Sequence, residues 1–389
     1  MTEIILKSEL LNKVVDKRNI TRGDALQIYE EVQSNPQELY QAAQAIRDRE
    51  KGSIVTYSRK VFFNLINLCR DTCSYCTYKS EPESSKASMM SKETIRALSR
   101  VGRKHGCTEA LFVTGEKPEQ KYPEAREWLA ENGFASTAEY LAHAAEMALE
   151  EGLFPHTNAG NLTKSEMMRL KKTNVSLGLM LENTSERLSG KGMPHEFAPS
   201  KNPKARIRVL ENAGELSIPV TTGILIGIGE TPLEAIDSIF TIKSIHSRYG
   251  NIQEVILQNF NPKPHTMMEG RPRPEEKYFM NLVALTRLLM PEMNIQIPPN
   301  LSPDSYPRFL QTGINDWGGI SPITPDYVNP EFSWPSVDTV RQNCATYGFT
   351  LRARFPVYPE YFHMVDPGLM DKIKERADES GLVVEGLIP

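Results

Sequence analysis

The sequence predicts an α/β fold: a TIM-like (β/α) barrel, complete or partial, behind an N-terminal helical extension. Two observations carry this. From about residue 60 onward, short β-rich runs alternate with helical runs that begin on capping residues, as parallel strands joined by crossover helices do. Eight such units can be counted, and because each crossover between parallel strands is right-handed, eight in succession close most simply into a barrel.

The expected strands are residues 61–68, 110–114, 153–158, 175–181, 220–226, 252–259, 294–297 and a stretch around 314–320. Between them, Thr163 with Glu166 and Thr231 with Glu234 have capping-box spacing, Pro203 and Pro232 suit a first helical turn, and Asn202 can cap. Ahead of the barrel, residues 21–50 read as helix, opened by Thr21 and Asp24 and continued by Ala25, Ile28, Tyr29 and Val32 at helical spacing. The expected division is a helical extension over 1–52, the barrel over 53–330, and a C-terminal segment over 331–389 that packs on it. Segments 116–134 and 189–202, rich in proline and glycine, follow the second and fourth strands and should overhang the mouth where barrel enzymes place their chemistry.

At 389 residues, 40% hydrophobic and 24% charged, the composition supports a large core and argues against disorder. A net charge of −4 supplies no broad positive field, so nucleic acid is not an expected partner. Charged residues interrupt the aliphatics of the first 20 positions, and no run approaches the ~18 apolar residues of a membrane span. The expectation is a cytoplasmic protein without a membrane partner.

Five cysteines are an odd number, and three of them fall within eight positions, which suits a metal site in a reducing compartment better than a disulfide framework. They stand in Asn67-Leu-Cys69-Arg-Asp-Thr-Cys73-Ser-Tyr-Cys76-Thr-Tyr78, directly after the first strand. Structural zinc takes four protein ligands, usually as two pairs, and no second pair lies nearby. A [4Fe–4S] cluster normally takes four thiolates, so three leave one iron open to a small molecule. Cys107 and Cys344 sit in unrelated contexts and read as buried hydrophobes or surface thiols.

The spacing C-x3-C-x2-C, with the aromatic Tyr75 before the last cysteine, resembles the signature of the radical S-adenosylmethionine (SAM) superfamily. That resemblance implies a radical SAM type of barrel, a [4Fe–4S] cluster on Cys69, Cys73 and Cys76, and S-adenosyl-L-methionine on the open iron, cleaved to methionine and a 5′-deoxyadenosyl radical. Thr114-Gly115-Glu116 is similar to the superfamily's Gly-Gly-Glu motif, which meets the methionyl amino group, with threonine in place of the first glycine. The resemblance also brings forward Arg206 or Arg208 for the SAM carboxylate and the run from Gly223 through Gly227 for the adenine side. By position, Glu182 suits the ribose hydroxyls and Gln258 the adenine or the substrate.

Over nearly the whole chain the sequence is similar to the radical SAM subunit of FO synthase, the CofG family. The similarity runs through Leu68 to Tyr78, Tyr122-Pro-Glu-Ala125, Met180-Leu-Glu-Asn-Thr-Ser185, Val220 to Glu230, Pro298-Pro-Asn-Leu301 and Asp316-Trp-Gly-Gly-Ile-Ser-Pro-Ile-Thr-Pro325. It implies conversion of 5-amino-5-(4-hydroxybenzyl)-6-(D-ribitylimino)-5,6-dihydrouracil to the deazaflavin FO with loss of ammonia. It further implies a CofH-type companion subunit that makes this substrate and an electron donor such as a flavodoxin or ferredoxin. For so polar and aromatic a substrate, Asp316 and Trp317 are candidate contacts, and His156 and His195 candidate proton carriers. Two alternatives remain open: a CofH-like or menaquinone-pathway radical SAM enzyme, and a non-catalytic iron–sulfur module.

Overall fold

A computed structural model describes residues 8–16, 20–384 and 386. Helices α1 (Glu9–Val15), α2 (Arg22–Glu31) and α3 (Gln37–Lys51) come first. Eight parallel strands then form a closed barrel: β1 (Ile54–Ile66), β2 (Glu109–Thr114), β3 (Phe154–Asn158), β4 (Ser176–Gly178), β5 (Val220–Ile226), β6 (Ile252–Asn259), β7 (Asn294–Gln296) and β8 (Asp316–Ile320). Each pairs with the next in sequence, and β1 closes the ring by pairing with both β2 and β8. The outer layer is α4 (Lys92–Lys104) after β1, α5 (Pro123–Glu131) and α6 (Thr137–Glu150) after β2, and α7 (Lys164–Lys171) after β3. It continues with α8 (Pro203–Glu215) after β4, α9 (Pro232–Tyr249) after β5 and α10 (Glu276–Leu289) after β6. The barrel is therefore complete.

Local chemistry sets the element boundaries. Thr21 with Asp24, Thr163 with Glu166 and Thr231 with Glu234 all form reciprocal capping boxes, and Asn202 caps α8 ahead of Pro203. The single helix expected over 21–50 is two, because the residue before Pro36 is driven out of the helical region and the chain restarts at Gln37. Strand β4 is shorter than the expected 175–181, yet the chain stays against β5 beyond it: the Leu179 amide donates to the Thr221 carbonyl, and Glu182, at a left-handed φ of 65°, still bridges Ile224. Between β7 and β8 only 3-10 turns are described, at Pro299–Leu301 and Tyr306–Thr312, and α3 packs against the second of these and against α10. Arg47 of α3 is buried there and donates to the carbonyls of Leu310 (3.2 Å) and Ile314 (2.9 Å).

After β8 the chain runs through α11 (Val337–Thr346) into a ninth strand, β9 (Thr350–Arg354), and ends in α12 (Pro367–Lys374). Strand β9 was not among the eight expected; it pairs with the first five residues of β1, below the point where β2 begins to pair at Lys60. The following residues close the barrel floor: Phe355 meets Phe154 edge-on at 5.3 Å, and the Pro356 carbonyl accepts from Ser176 and from Gln253. Among the described residues no helix is long and apolar enough to cross a membrane.

Candidate active site

The cysteine loop leaves the C-terminal end of β1 and is tied from several sides. Its base is fixed by Asn67, whose side chain donates to the Lys86 carbonyl (2.8 Å) and accepts from the Ser88 amide (2.7 Å). On the β2 side the Gly115 amide donates to the Ile66 carbonyl (2.7 Å), the Arg70 amide to the Glu116 carbonyl (2.9 Å), and the Glu116 amide to Cys69 Sγ (3.2 Å). From the segment after β4, the carbonyls of Phe197 and Pro194 accept from the amides of Thr72 (2.7 Å) and Ser74 (2.9 Å). The Ser74 carbonyl accepts from Met268 after β6 (3.1 Å). The two overhanging segments expected from sequence thus clamp the loop onto the mouth.

Cys69, Cys73 and Cys76 line one cavity of about 310 Å³ at this end of the barrel, together with Tyr75, Gly115, Glu116, Glu182, Arg206 and Gln258. Burial pushes the Cys69 thiol up to about 11 and the Cys73 thiol further in the same direction. Thiolates at these two positions need positive charge beside them. Glu116 is buried; its Oε2 accepts from the Asn161 amide (3.0 Å), while Oε1 has no hydrogen-bond donor among the described residues. Glu182 is also buried and forms an ion pair with Lys201. Burial pushes its carboxyl upward, but the charges of Lys201 and Arg206 outweigh this and hold it below the usual range. Arg206 donates to the carbonyls of Ser200 (3.2 Å) and Met180. Tyr75 is anchored through its hydroxyl to His195 Nε2 (3.0 Å).

The residues fit a three-cysteine cluster with a bound SAM. Around the three thiols Glu116 Oε1, Asp71 Oδ1, Asn259 Oδ1 and Asn261 Oδ1 are buried acceptors without donors. A ligand bearing an ammonium, hydroxyls and an exocyclic amine supplies what they lack.

Not every candidate reaches the cavity. Arg208 is exposed on α8 and pairs with Glu211 at 3.5 Å. Gly223 and Gly227 serve the backbone: a side chain at Gly223 would meet the Ile256 carbonyl at 2.0 Å, and Gly227 has a φ of 96° against Pro274. Trp317 is fully buried outside the cavity, with its indole N–H on Cys344 Sγ (3.2 Å) and its ring edge-on to Tyr306. Asp316 is buried too, held by Thr56 and Arg354. Both were expected to touch substrate; strand alternation turns Trp317 into the outer core, and Asp316 is consumed by the arginine. His195 stands behind Tyr75, and His156 lies lower in the barrel. Sequence reasoning missed Lys60, Lys201, Lys263, Asp326 and Trp334 on the cavity wall; Lys60 stands beside Arg59 in a strand that also holds Thr56, Ser58 and Asn64, so charge alone did not single it out.

Fold and site together define a radical SAM protein, and the Radical SAM superfamily model matches residues 63–242. The chain belongs to the 7,8-didemethyl-8-hydroxy-5-deazariboflavin synthase family. It is 47% identical over 309 residues to the synthase of that name from Methanopyrus kandleri, covering 79% of this chain and 92% of that one. With the Methanococcus maripaludis strain C6 synthase it shares 41% identity over 92% of this chain and all of the other. The FO synthase of Streptomyces avermitilis is 44% identical over 87% of this chain, which spans 42% of that longer protein. Among solved structures, the fold is similar to the FeFe-hydrogenase maturase HydG from Carboxydothermus hydrogenoformans (TM-score 0.73, 19% identity, 94% of this chain and 87% of that one). It is also similar to methylornithine synthase (TM-score 0.69, 17% identity, 88% of this chain and 97% of that one).

Proposed function

We propose that this chain converts 5-amino-5-(4-hydroxybenzyl)-6-(D-ribitylimino)-5,6-dihydrouracil and SAM into the deazaflavin FO, methionine, 5′-deoxyadenosine and ammonia. Beyond family membership, the observation that supports this most directly is the shared cavity: three cysteines from one loop face Glu116, Glu182 and Arg206 from three other segments. Cys69, Cys73 and Cys76 would hold a [4Fe–4S] cluster. When bound, cluster and SAM supply a 5′-deoxyadenosyl radical that abstracts hydrogen from the substrate.

The protein's own groups bind and orient. Glu116 Oε1, 3.8 Å from the Arg70 guanidinium but without a hydrogen bond of its own, accepts from the methionyl ammonium. Arg206 presents its guanidinium to the carboxylate, and Glu182, kept ionised by Lys201, accepts from the ribose hydroxyls. The clamped loops around the mouth keep bulk water from the reacting carbon. A CofH-type companion subunit would supply the substrate and a flavodoxin or ferredoxin the electron, in the cytoplasm. The division into residues 1–52, 53–330 and 331–389 is proposed as the organisation that serves this site.

Anaerobic reconstitution with iron and sulfide, followed by reductant, SAM and the hydroxybenzyl adduct, tests the proposal. Fluorescent deazaflavin together with 5′-deoxyadenosine is expected. Formation of 5′-deoxyadenosine without deazaflavin would favour a CofH-like or menaquinone-pathway enzyme, and neither product a non-catalytic module.

A further inference from the structure

Beneath the cysteine-lined cavity the barrel interior is not filled, as such interiors ordinarily are. A second cavity of about 120 Å³ lies deeper, walled by Lys60, Glu109, His156, Thr221, Glu254 and Arg354. The two share Lys60, Leu111, Asn158, Met180, Ile256, Gln296 and Gly319 as common wall. We propose that this lower chamber takes the D-ribityl chain of the substrate, which hangs from a uracil ring held above it. The inference rests on the deazaflavin-forming activity proposed above.

Charge selects the ligand class. Two cations, Lys60 and Arg354, face two carboxylates, Glu109 and Glu254, so the wall favours a neutral guest over a phosphate or a dicarboxylate. Arg354 donates to Glu254 at 2.7 Å and, through the same nitrogen and its Nε, to Asp316 at 3.0 and 2.7 Å. Lys60 and Glu109 are left over. Both are more than nine-tenths buried; the Glu109 charge acts on the Lys60 ammonium, but neither side chain closes a hydrogen bond or an ion pair within 4 Å among the described residues. The Lys60 ammonium rests over the Trp334 ring at 4.5 Å, at the neck between the chambers.

His156 completes the pattern. The Ser176 hydroxyl spends its single proton on the Pro356 carbonyl, so it can only accept from His156 Nδ1, 2.7 Å away. The proton of the neutral ring is thereby fixed on Nδ1, and Nε2 is a bare acceptor in the chamber, on the side where Gly178 has no side chain. A buried donor, a buried carboxylate and a buried imidazole nitrogen, each without a hydrogen bond among the described residues, suit hydroxyls that each donate and accept.

Calorimetric titration of the reconstituted protein with SAM and no reductant tests the assignment. The probes are the hydroxybenzyl adduct and the same adduct with methyl in place of ribityl. Wild type is expected to bind the ribityl adduct at least about tenfold more tightly. Glu109→Gln and Lys60→Met, each checked for cooperative unfolding, should reduce that ratio to about threefold or less and leave the methyl analogue's affinity within about twofold. A wild-type ratio near one, a ratio unchanged in both variants, or equal weakening of both probes overturns the chamber assignment. Absence of deazaflavin when reductant is added to wild type overturns the activity instead, while the binding ratio still decides the chamber.

Discussion

The backbone amide of Glu116 donates to the sulfur of Cys69 at 3.2 Å, so the end of β2 is hydrogen-bonded directly to the first residue of the cysteine triad. The two segments are 47 residues apart in sequence. Burial pushes the Cys69 thiol up to about 11, and this amide works against that shift by stabilising a thiolate.

If the triad holds the cluster, serine at Cys69, Cys73 or Cys76 removes bound iron and the brown colour after reconstitution. Serine at Cys107 or Cys344, buried elsewhere, leaves both intact. Iron and sulfide analysis per chain checks this; full iron retention in a triad variant contradicts it.

Gly115 separates β2 from the cysteine loop without room for a side chain. A Cβ there would sit 1.9 Å from the Leu68 carbonyl oxygen and 2.8 Å from Cys69 Cα. Gly115→Ala is expected to displace the loop and lower reconstituted iron by more than half in protein that still unfolds cooperatively. Normal loading would show that the loop yields.

Lys201 and Glu182 form an ion pair in which both side chains are largely buried. Lys201→Met leaves a carboxylate buried against desolvation and should cost about 3 kcal/mol of stability, read by denaturant titration. SAM affinity, measured by equilibrium dialysis, should fall as well, and so should that of Arg206→Ala. Arg208→Ala, on the exposed face of α8, should match wild type in both measurements.

Burial lowers His156 from an ordinary 6.5 to about 4. The unfolded chain therefore takes up a proton first as pH falls, and the stability tied to the neutral ring, complete above about 6.5, is lost progressively down to about 4. The slope is about 1.4 kcal/mol per pH unit within that window. Denaturant midpoints between pH 7.5 and 5 should fall less steeply for His156→Gln, and identical slopes would contradict the assignment.

Trp317 packs edge-on to Tyr306 and donates to Cys344, away from the cavity. Trp317→Phe should lower stability by about 1–2 kcal/mol through a smaller ring and a lost hydrogen bond, with KM for the adduct unchanged. A raised KM would return Trp317 to the substrate site.

Local information fixed what lies close in sequence. The capping boxes, the apolar strands, and the three thiols within one short loop are properties of neighbouring residues, so they were legible without a structure, as was the count of eight barrel strands. Barrel closure decided the rest. Whether Arg206 or Arg208 faces inward depends on helix phase against β5, and whether Asp316 and Trp317 meet substrate depends on the pleat of β8 and on Arg354, which arrives from β9. Lys60 and Lys201 gained their places because strands and loops distant in sequence converge on one interior, and convergence over such separations leaves no periodic signature in a linear chain.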